Sequence, residues 1–264
     1  MKPIAVILIL SLAASTAVCA VFDIFWFLLP VFVGFAAGLS LLFWLVMWLF
    51  SIVVPNKIYS EPSKVYLWLL NLAYAYVCEF TRVKIHTSGL EKLPDGPFVL
   101  VSNHASNLDN MVQCLALKER PMAFIAKEEL FKIPIVRGMI TRCCYISIDR
   151  KTSKRGKPAI ETAEDYLRRG VCSIGVYPEG HRNKGGELGK FHAGSFKVAL
   201  NTQCPIVVSA LVGTENVKHR FPFRRTNVFF DVIDVVSPVD KKSIELAQEI
   251  QNKISEHIKT RKET

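Results

Sequence analysis

The side chains with the clearest chemical potential lie in Val101-Ser102-Asn103-His104-Ala105-Ser106-Asn107-Leu108-Asp109. A neutral imidazole takes up a proton near pH 7, and a nearby carboxylate can fix its tautomer and steady the imidazolium. His104 and Asp109 are five residues apart, which is not a same-face spacing on a helix. The pair therefore needs a turn, or a helix that begins between its members, with Ser106 or Asn107 as the N-cap. The plainer alternative is a loop histidine beside a helix-capping aspartate. The chain has no G-x-S-x-G elbow and no Gly-rich phosphate loop. A His/Asp pair without a protein nucleophile suggests that the substrate supplies the nucleophile, such as a hydroxyl.

Two further segments offer anion contacts. Tyr177-Pro178-Glu179-Gly180-His181-Arg182 combines a tight-turn signal with a carboxylate, a flexible backbone N–H and a guanidinium suited to phosphate. Its alternative is a surface turn with a solvated Glu–Arg pair. Ile148-Asp149-Arg150 ends an apolar run and leads into Lys151, Lys154, Arg155 and Lys157. Such a run is either a solvated loop or a patch for anionic headgroups. Lys127 directly follows another apolar run and could equally be a snorkelling surface lysine.

Elements must position these groups. Short apolar runs predict strands at Phe98–Ser102, Met122–Ala126, Cys144–Ile148, Cys172–Tyr177, Ile206–Val212 and Val228–Val235. Helical patterns fall at Asp109–Lys118, Ala159–Arg169, Ser195–Asn201 and Lys241–Lys259. This alternation implies an α/β fold: a mixed, largely parallel sheet flanked by helices. Each candidate residue follows a strand, where sites of such sheets collect.

Composition adds a membrane element. The chain has 264 residues, 33 Lys+Arg and 23 Asp+Glu, hence +10. Residues 3–54 hold a single charge, Asp23, which cancels Lys2, so the whole excess lies in residues 55–264. Residues 4–22 are an uncharged run of 19, and a second run extends from Ile24 to Val54. About 20 apolar residues cross a hydrocarbon core. The expectation is a helical hairpin turning near residues 23–30, in place of a cleavable signal peptide ending at Ala20. Positive flanks place both ends, and the basic domain, on the cytoplasmic face. The expected division is a membrane anchor at 1–56, an interfacial helix and linker at 57–88, and a catalytic domain at 89–264. The helix at 65–80 would lie at the interface or in the core. Seven cysteines without a C-x-x-C argue against a metal site or disulfide framework. Basic character without an aromatic-interleaved stripe gives no case for nucleic acid.

Taken together and in order, these segments resemble the 1-acyl-glycerol-3-phosphate acyltransferase (lysophosphatidic acid acyltransferase) family, bacterial type. The resemblance covers about residues 80–235. His104 through Asp109 looks like the family's His-x4-Asp motif. Ile148-Asp149-Arg150 is similar to the second motif, and Pro178-Glu179-Gly180-His181-Arg182 to the third, usually Pro-Glu-Gly-Thr/Ser-Arg. Pro205-Ile206-Val207 is similar to the fourth, and Phe191-His192-Ala193-Gly194 to a Phe-Lys-x-Gly segment. His181, His192 and Ser209 depart from the usual residues.

The resemblance implies acyl transfer from acyl-CoA or acyl-acyl carrier protein to the sn-2 hydroxyl of lysophosphatidic acid, with no cofactor, no metal and no acyl-enzyme. It implies His104 as general base and Asp109 as its orienting partner. Arg182 would hold the acceptor phosphate, with Arg150 and Lys127 adding charge. Glu179 would bind the glycerol backbone, and Gly180 would permit close approach and offer an oxyanion N–H. Anionic membrane lipids are the further expected partners. The alternatives are a sister enzyme acting on another lysolipid, such as lyso-ornithine lipid, or a non-catalytic membrane-docking protein.

Overall fold

The computed structural model describes residues 2–148, 153–183 and 188–263. It opens with the expected hairpin: α1 (Pro3–Phe22), a 3-10 turn (Phe25–Phe27) and α2 (Leu28–Ile52). Asp23 ends α1 in the left-handed conformation, and the Ile24 N–H closes back on the Cys19 carbonyl at 3.0 Å. α1 and the stretch Phe25–Ile52 are each long and apolar enough to cross a membrane. The buried face of α1 is built from small groups, Ser11, Ser15 and Cys19, which let helix backbones approach closely.

The hairpin is tied at its base to the remainder of the chain. Glu79, on α3 (Lys64–Phe80), accepts the free N–H groups of Ile4 and Ala5 at 2.9 and 3.1 Å. A carboxylate there satisfies orphan donors and complements the helix dipole. Ser51, at the end of α2, accepts from the Gly138 N–H at 2.9 Å in α5 (Pro134–Arg142). A Cβ on Gly138 would lie 2.0 Å from the Ser51 carbonyl oxygen, so this approach requires glycine.

α3 buries one set of side chains in the core and leaves another exposed. Leu69, Leu70, Tyr74, Tyr76 and Cys78 are buried, while Val65, Trp68 and Phe80 remain exposed. The sequence reading missed α5, whose nine residues carry no long periodic stripe.

Among the described residues seven strands form one sheet: β1 (Val83–Ser88), β2 (Val99–Ser102), β3 (Met122–Lys127), β4 (Ile146–Ile148), β5 (Ser173–Val176), β6 (Ile206–Val212) and β7 (Thr226–Val236). Their order is β1-β7-β6-β2-β5-β3-β4, with every pair parallel except β6/β7. The mixed, largely parallel α/β class is as expected. β1 revises the division of the chain, because its six residues pair with Thr226–Asp231 of β7. Residues 83–88 therefore belong to the sheet and not to a linker. β1 alternates weakly, with polar Lys84, His86 and Ser88, as suits an edge strand.

The helices flanking the sheet are α4 (Asp109–Ala116), α5, α6 (Ser153–Arg168), α7 (Lys197–Thr202), the short α8 (Val217–Arg220) and α9 (Ser243–Glu263). On α9, Leu246, Ala247, Ile250, Ile254 and Ile258 are buried at helical spacing, a core face and nothing more. β2 and β5 are buried along their whole length at the centre of the sheet, and His104, Asp109, Glu179, Gly180 and Arg182 follow their carboxyl ends.

Candidate active site

β2 delivers Asn103 and His104 to the sheet edge, and α4 starts at Asp109. The Asn103 amide behaves like one more strand residue. It donates to the Leu211 carbonyl and accepts from the Leu211 N–H, both at 2.8 Å, and so locks the end of β2 to β6. The chain then turns through Ala105–Leu108 and enters α4, the geometry that a five-residue spacing requires.

Asp109 is fully buried and acts only as an acceptor. Its Oδ2 takes the His104 Nδ1 at 2.7 Å and the N–H groups of Ala105 and Ser106 at 2.7 and 2.8 Å. Its Oδ1 takes the Thr214 hydroxyl at 2.6 Å. The two backbone donors make Asp109 the organiser of the turn as well as the partner of the imidazole. With Nδ1 committed to the carboxylate, Nε2 is left as the basic nitrogen of His104. The His104 side chain is 21% exposed, so the ring is held from below and open above.

The ring lies flat on Tyr177, with centroids 4.1 Å apart and an interplanar angle of 12°. Tyr177 donates its hydroxyl inward to Gln113 Oε1 at 2.8 Å. Burial pushes that phenol well above its ordinary range, with the Asp109 charge adding to the effect, so it stays a neutral donor. Deeper still, Tyr74, Tyr145, Cys114 and Asn110 form a buried hydrogen-bonded cluster joining α3 to α4.

The segment after β5 meets the His104 turn directly. Glu179 is 1% exposed. One of its oxygens accepts the His104 backbone N–H at 2.6 Å; the other accepts the Gly189 N–H at 2.8 Å and the Asn183 amide. In return the Asn183 N–H donates to the His104 carbonyl at 2.9 Å. Glu179, expected as a glycerol ligand, meets three protein donors here. Its carboxylate faces inward and takes all three, as a buried carboxylate must be satisfied. It braces the backbone of His104.

Gly180 has φ +71°, the left-handed region that lets the chain turn toward His192. Its N–H donates to the Tyr177 carbonyl at 3.1 Å within that turn, so it is not aimed outward as an oxyanion donor. Arg182 is exposed and donates to Asn107 Oδ1, which places its guanidinium on the same turn that carries His104. Lys127 is the exposed last residue of β3, one strand beyond β5 at the same carboxyl edge. Arg150 lies outside the described residues.

The sequence reading missed Thr214. The available signal was its position two residues past β6, at the same sheet edge. Tyr177 stood inside a recognised segment without a role. Its stacking could not be read from spacing.

The family described as Acyltransferase matches residues 84–212, the stretch from β1 through β6 that builds this constellation. Over these residues the chain is similar to the acyltransferase family. Among its relatives, the chloroplastic 1-acyl-sn-glycerol-3-phosphate acyltransferase LPAT1 of Arabidopsis thaliana is 31% identical over 191 residues, 71% of this chain and 52% of that protein. The 1-acyl-sn-glycerol-3-phosphate acyltransferase of Borreliella burgdorferi is 32% identical over 135 residues, 51% of this chain and 53% of its own length. The chain thus spans about half the length of the curated relatives it matches. The crystal structure of the 1-acyl-sn-glycerophosphate (LPA) acyltransferase PlsC from Thermotoga maritima superposes with a TM-score of 0.59 at 23% identity. That alignment covers 99% of this chain and 98% of the other, so the chain shares that fold from its apolar hairpin onward.

Proposed function

We propose that the protein acylates the sn-2 hydroxyl of 1-acyl-glycerol-3-phosphate, using acyl-CoA or acyl-acyl carrier protein as donor, and releases phosphatidic acid. The observation that carries this reading is the His104–Asp109 pair, with Nδ1 bound to a buried carboxylate and Nε2 left as the base. The names of the relatives support the acceptor.

In the proposed reaction the acceptor hydroxyl attacks the thioester carbonyl while its proton passes to His104 Nε2. The tetrahedral intermediate collapses to the ester and expels the thiolate, which recovers the proton from the imidazolium. No protein nucleophile is consumed, and neither a metal nor a cofactor is required. The four donors around Asp109 preorganise it to receive the imidazolium charge. Arg182, on the rim beside Asn107, would hold the acceptor phosphate, with Lys127 at the same edge, and Arg150 would add further positive charge.

Acceptor and product both carry acyl chains, so a site tied to an apolar hairpin can meet them at the bilayer while a soluble carrier brings the donor. We place the hairpin in the inner (cytoplasmic) membrane and the sheet domain on its cytoplasmic face, among anionic lipids. His104→Ala is expected to lower acyl transfer at least about 10²-fold, the lower bound of general-base help, while membrane association persists. The assay is turnover in micelles with lysophosphatidic acid and lyso-ornithine lipid as parallel acceptors. Unchanged turnover in the variant would remove His104 from the chemistry. Preferential use of lyso-ornithine lipid would reassign the acceptor.

A further inference from the structure

A concavity of about 1010 Å³ runs along α3, and no side chain of the candidate active site lines it. Its floor is aliphatic: Leu67, Leu72 and Ala75 of α3, Ile85 of β1 and Leu115 of α4. Trp68 stands at its mouth, 52% exposed. Its rim is basic, with Lys2, Lys64, Arg82, Lys84, Arg120 and Arg225. None of these six forms an ion pair with a carboxylate among the described residues. Two acidic residues also line the groove, and both are already occupied. Glu79 receives the N–H groups of Ile4 and Ala5, and Glu119 faces Lys118 at 3.7 Å.

The groove therefore joins uncompensated positive charge to an apolar trough, at the base of the apolar hairpin. Lys2 on its rim immediately precedes α1. A free inorganic anion would use the rim and leave the trough wet. A neutral lipid would use the trough and leave the cations unanswered. An anionic amphiphile satisfies both, and the volume is at the upper end of the range for ligand sites. We propose that this groove binds one anionic glycerophospholipid of the surrounding bilayer, with its phosphate among Arg82, Lys84 and Arg225 and an acyl chain along Leu67, Leu72 and Ile85. The site is separate from the catalytic cleft, and the inference does not depend on the acyl-transfer reading. Its physical basis is the attraction of basic side chains to anionic lipid at short range, joined to burial of a hydrocarbon chain.

The test uses the purified full chain in neutral detergent, with bound lipid counted by native mass spectrometry during titration. Phosphatidylglycerol is expected to bind at one copy and at least about tenfold more tightly than phosphatidylcholine of the same chains. Reversing three exposed charges together (Arg82→Glu, Lys84→Glu, Arg225→Glu) is expected to erase that preference. Ala75→Trp, which fills the trough and leaves every charge in place, is expected to weaken phosphatidylglycerol binding at least about tenfold by excluding the chain. Equal retention of the two lipids by the wild-type chain would overturn the proposal. So would displacement of phosphatidylglycerol by equimolar inorganic phosphate, which would make the groove a free-anion site. Wild-type binding in both variants would place the lipid elsewhere and overturn it as well.

Discussion

Replacing Thr214 by Val keeps the shape of the side chain and removes one hydroxyl. In the folded protein that hydroxyl is 1% exposed and lies 2.6 Å from Oδ1 of a fully buried Asp109. Water cannot take its place without opening the site, so that carboxylate oxygen loses its hydroxyl donor. Hydrogen bonds to charged groups are worth about 1.5–3 kcal/mol, which sets an expected loss of about 2 kcal/mol. For a chain of this size each kcal/mol moves Tm by about 2–4 °C, so the melting temperature should fall by about 4–8 °C. The effect on catalysis should be smaller. The three donors on Oδ2, His104 Nδ1 and the Ala105 and Ser106 N–H groups, all remain in place. They keep the imidazole aimed, so kcat/KM should fall by less than about tenfold, well short of the loss expected for His104→Ala. Thr214→Ser restores the hydroxyl and should recover most of both quantities. The assay pairs thermal unfolding of the full chain in micelles with acyl-transfer kinetics. An unchanged Tm in Thr214→Val would refute the bond as a stabilising contact. A rate loss as large as that of His104→Ala would refute the claim that Thr214 holds Asp109 and does not meet substrate.

The remaining predictions concern the other parts of the site. Glu179→Gln turns an NH₂ group toward donors, either at the His104 N–H or at the Gly189 N–H. It should cost about 2–3 kcal/mol in denaturant unfolding and lower kcat without selectively raising the acceptor KM. A KM effect alone would return Glu179 to the role of ligand. Arg182→Ala should raise the acceptor KM about 10- to 100-fold with a smaller change in kcat, the size of a charge-assisted phosphate contact. An unaffected KM would remove its phosphate role. Burial pushes the thiols of Cys78, Cys114 and Cys172 up to about 12. Since the thiolate is the reactive form, iodoacetamide at pH 8 should leave these three unmodified and activity intact in the native protein. Inactivation by labelling any of them would revive an acyl-cysteine intermediate.

The sequence by itself determined a good deal. The apolar stretch to residue 54, interrupted by one charge at Asp23, dictated two apolar helices with a break there, because length and hydropathy alone decide whether a helix suits a bilayer. Largely apolar runs dictated the central strands, because a strand covered on both faces has little room for polar alternation. His104, Asp109, Glu179 and Arg182 were legible because each follows such a strand, where a parallel sheet exposes its loops. Weakly patterned pieces stayed hidden. β1 carries edge-strand polarity, and α5 is too short for its periodicity to register.

Only the tertiary structure decided what each site residue faces. Glu179 and Arg182 are three positions apart in one turn, yet one carboxylate is buried under His104 and the guanidinium is exposed on the rim. The turn at Gly180 separates them, and no local pattern distinguishes an inward from an outward side chain there. Thr214 and Tyr177 reach the dyad across 105 and 73 positions of chain. Such contacts come from strand order, β6 beside β2 and β2 beside β5, which is a property of the whole sheet and of no single segment.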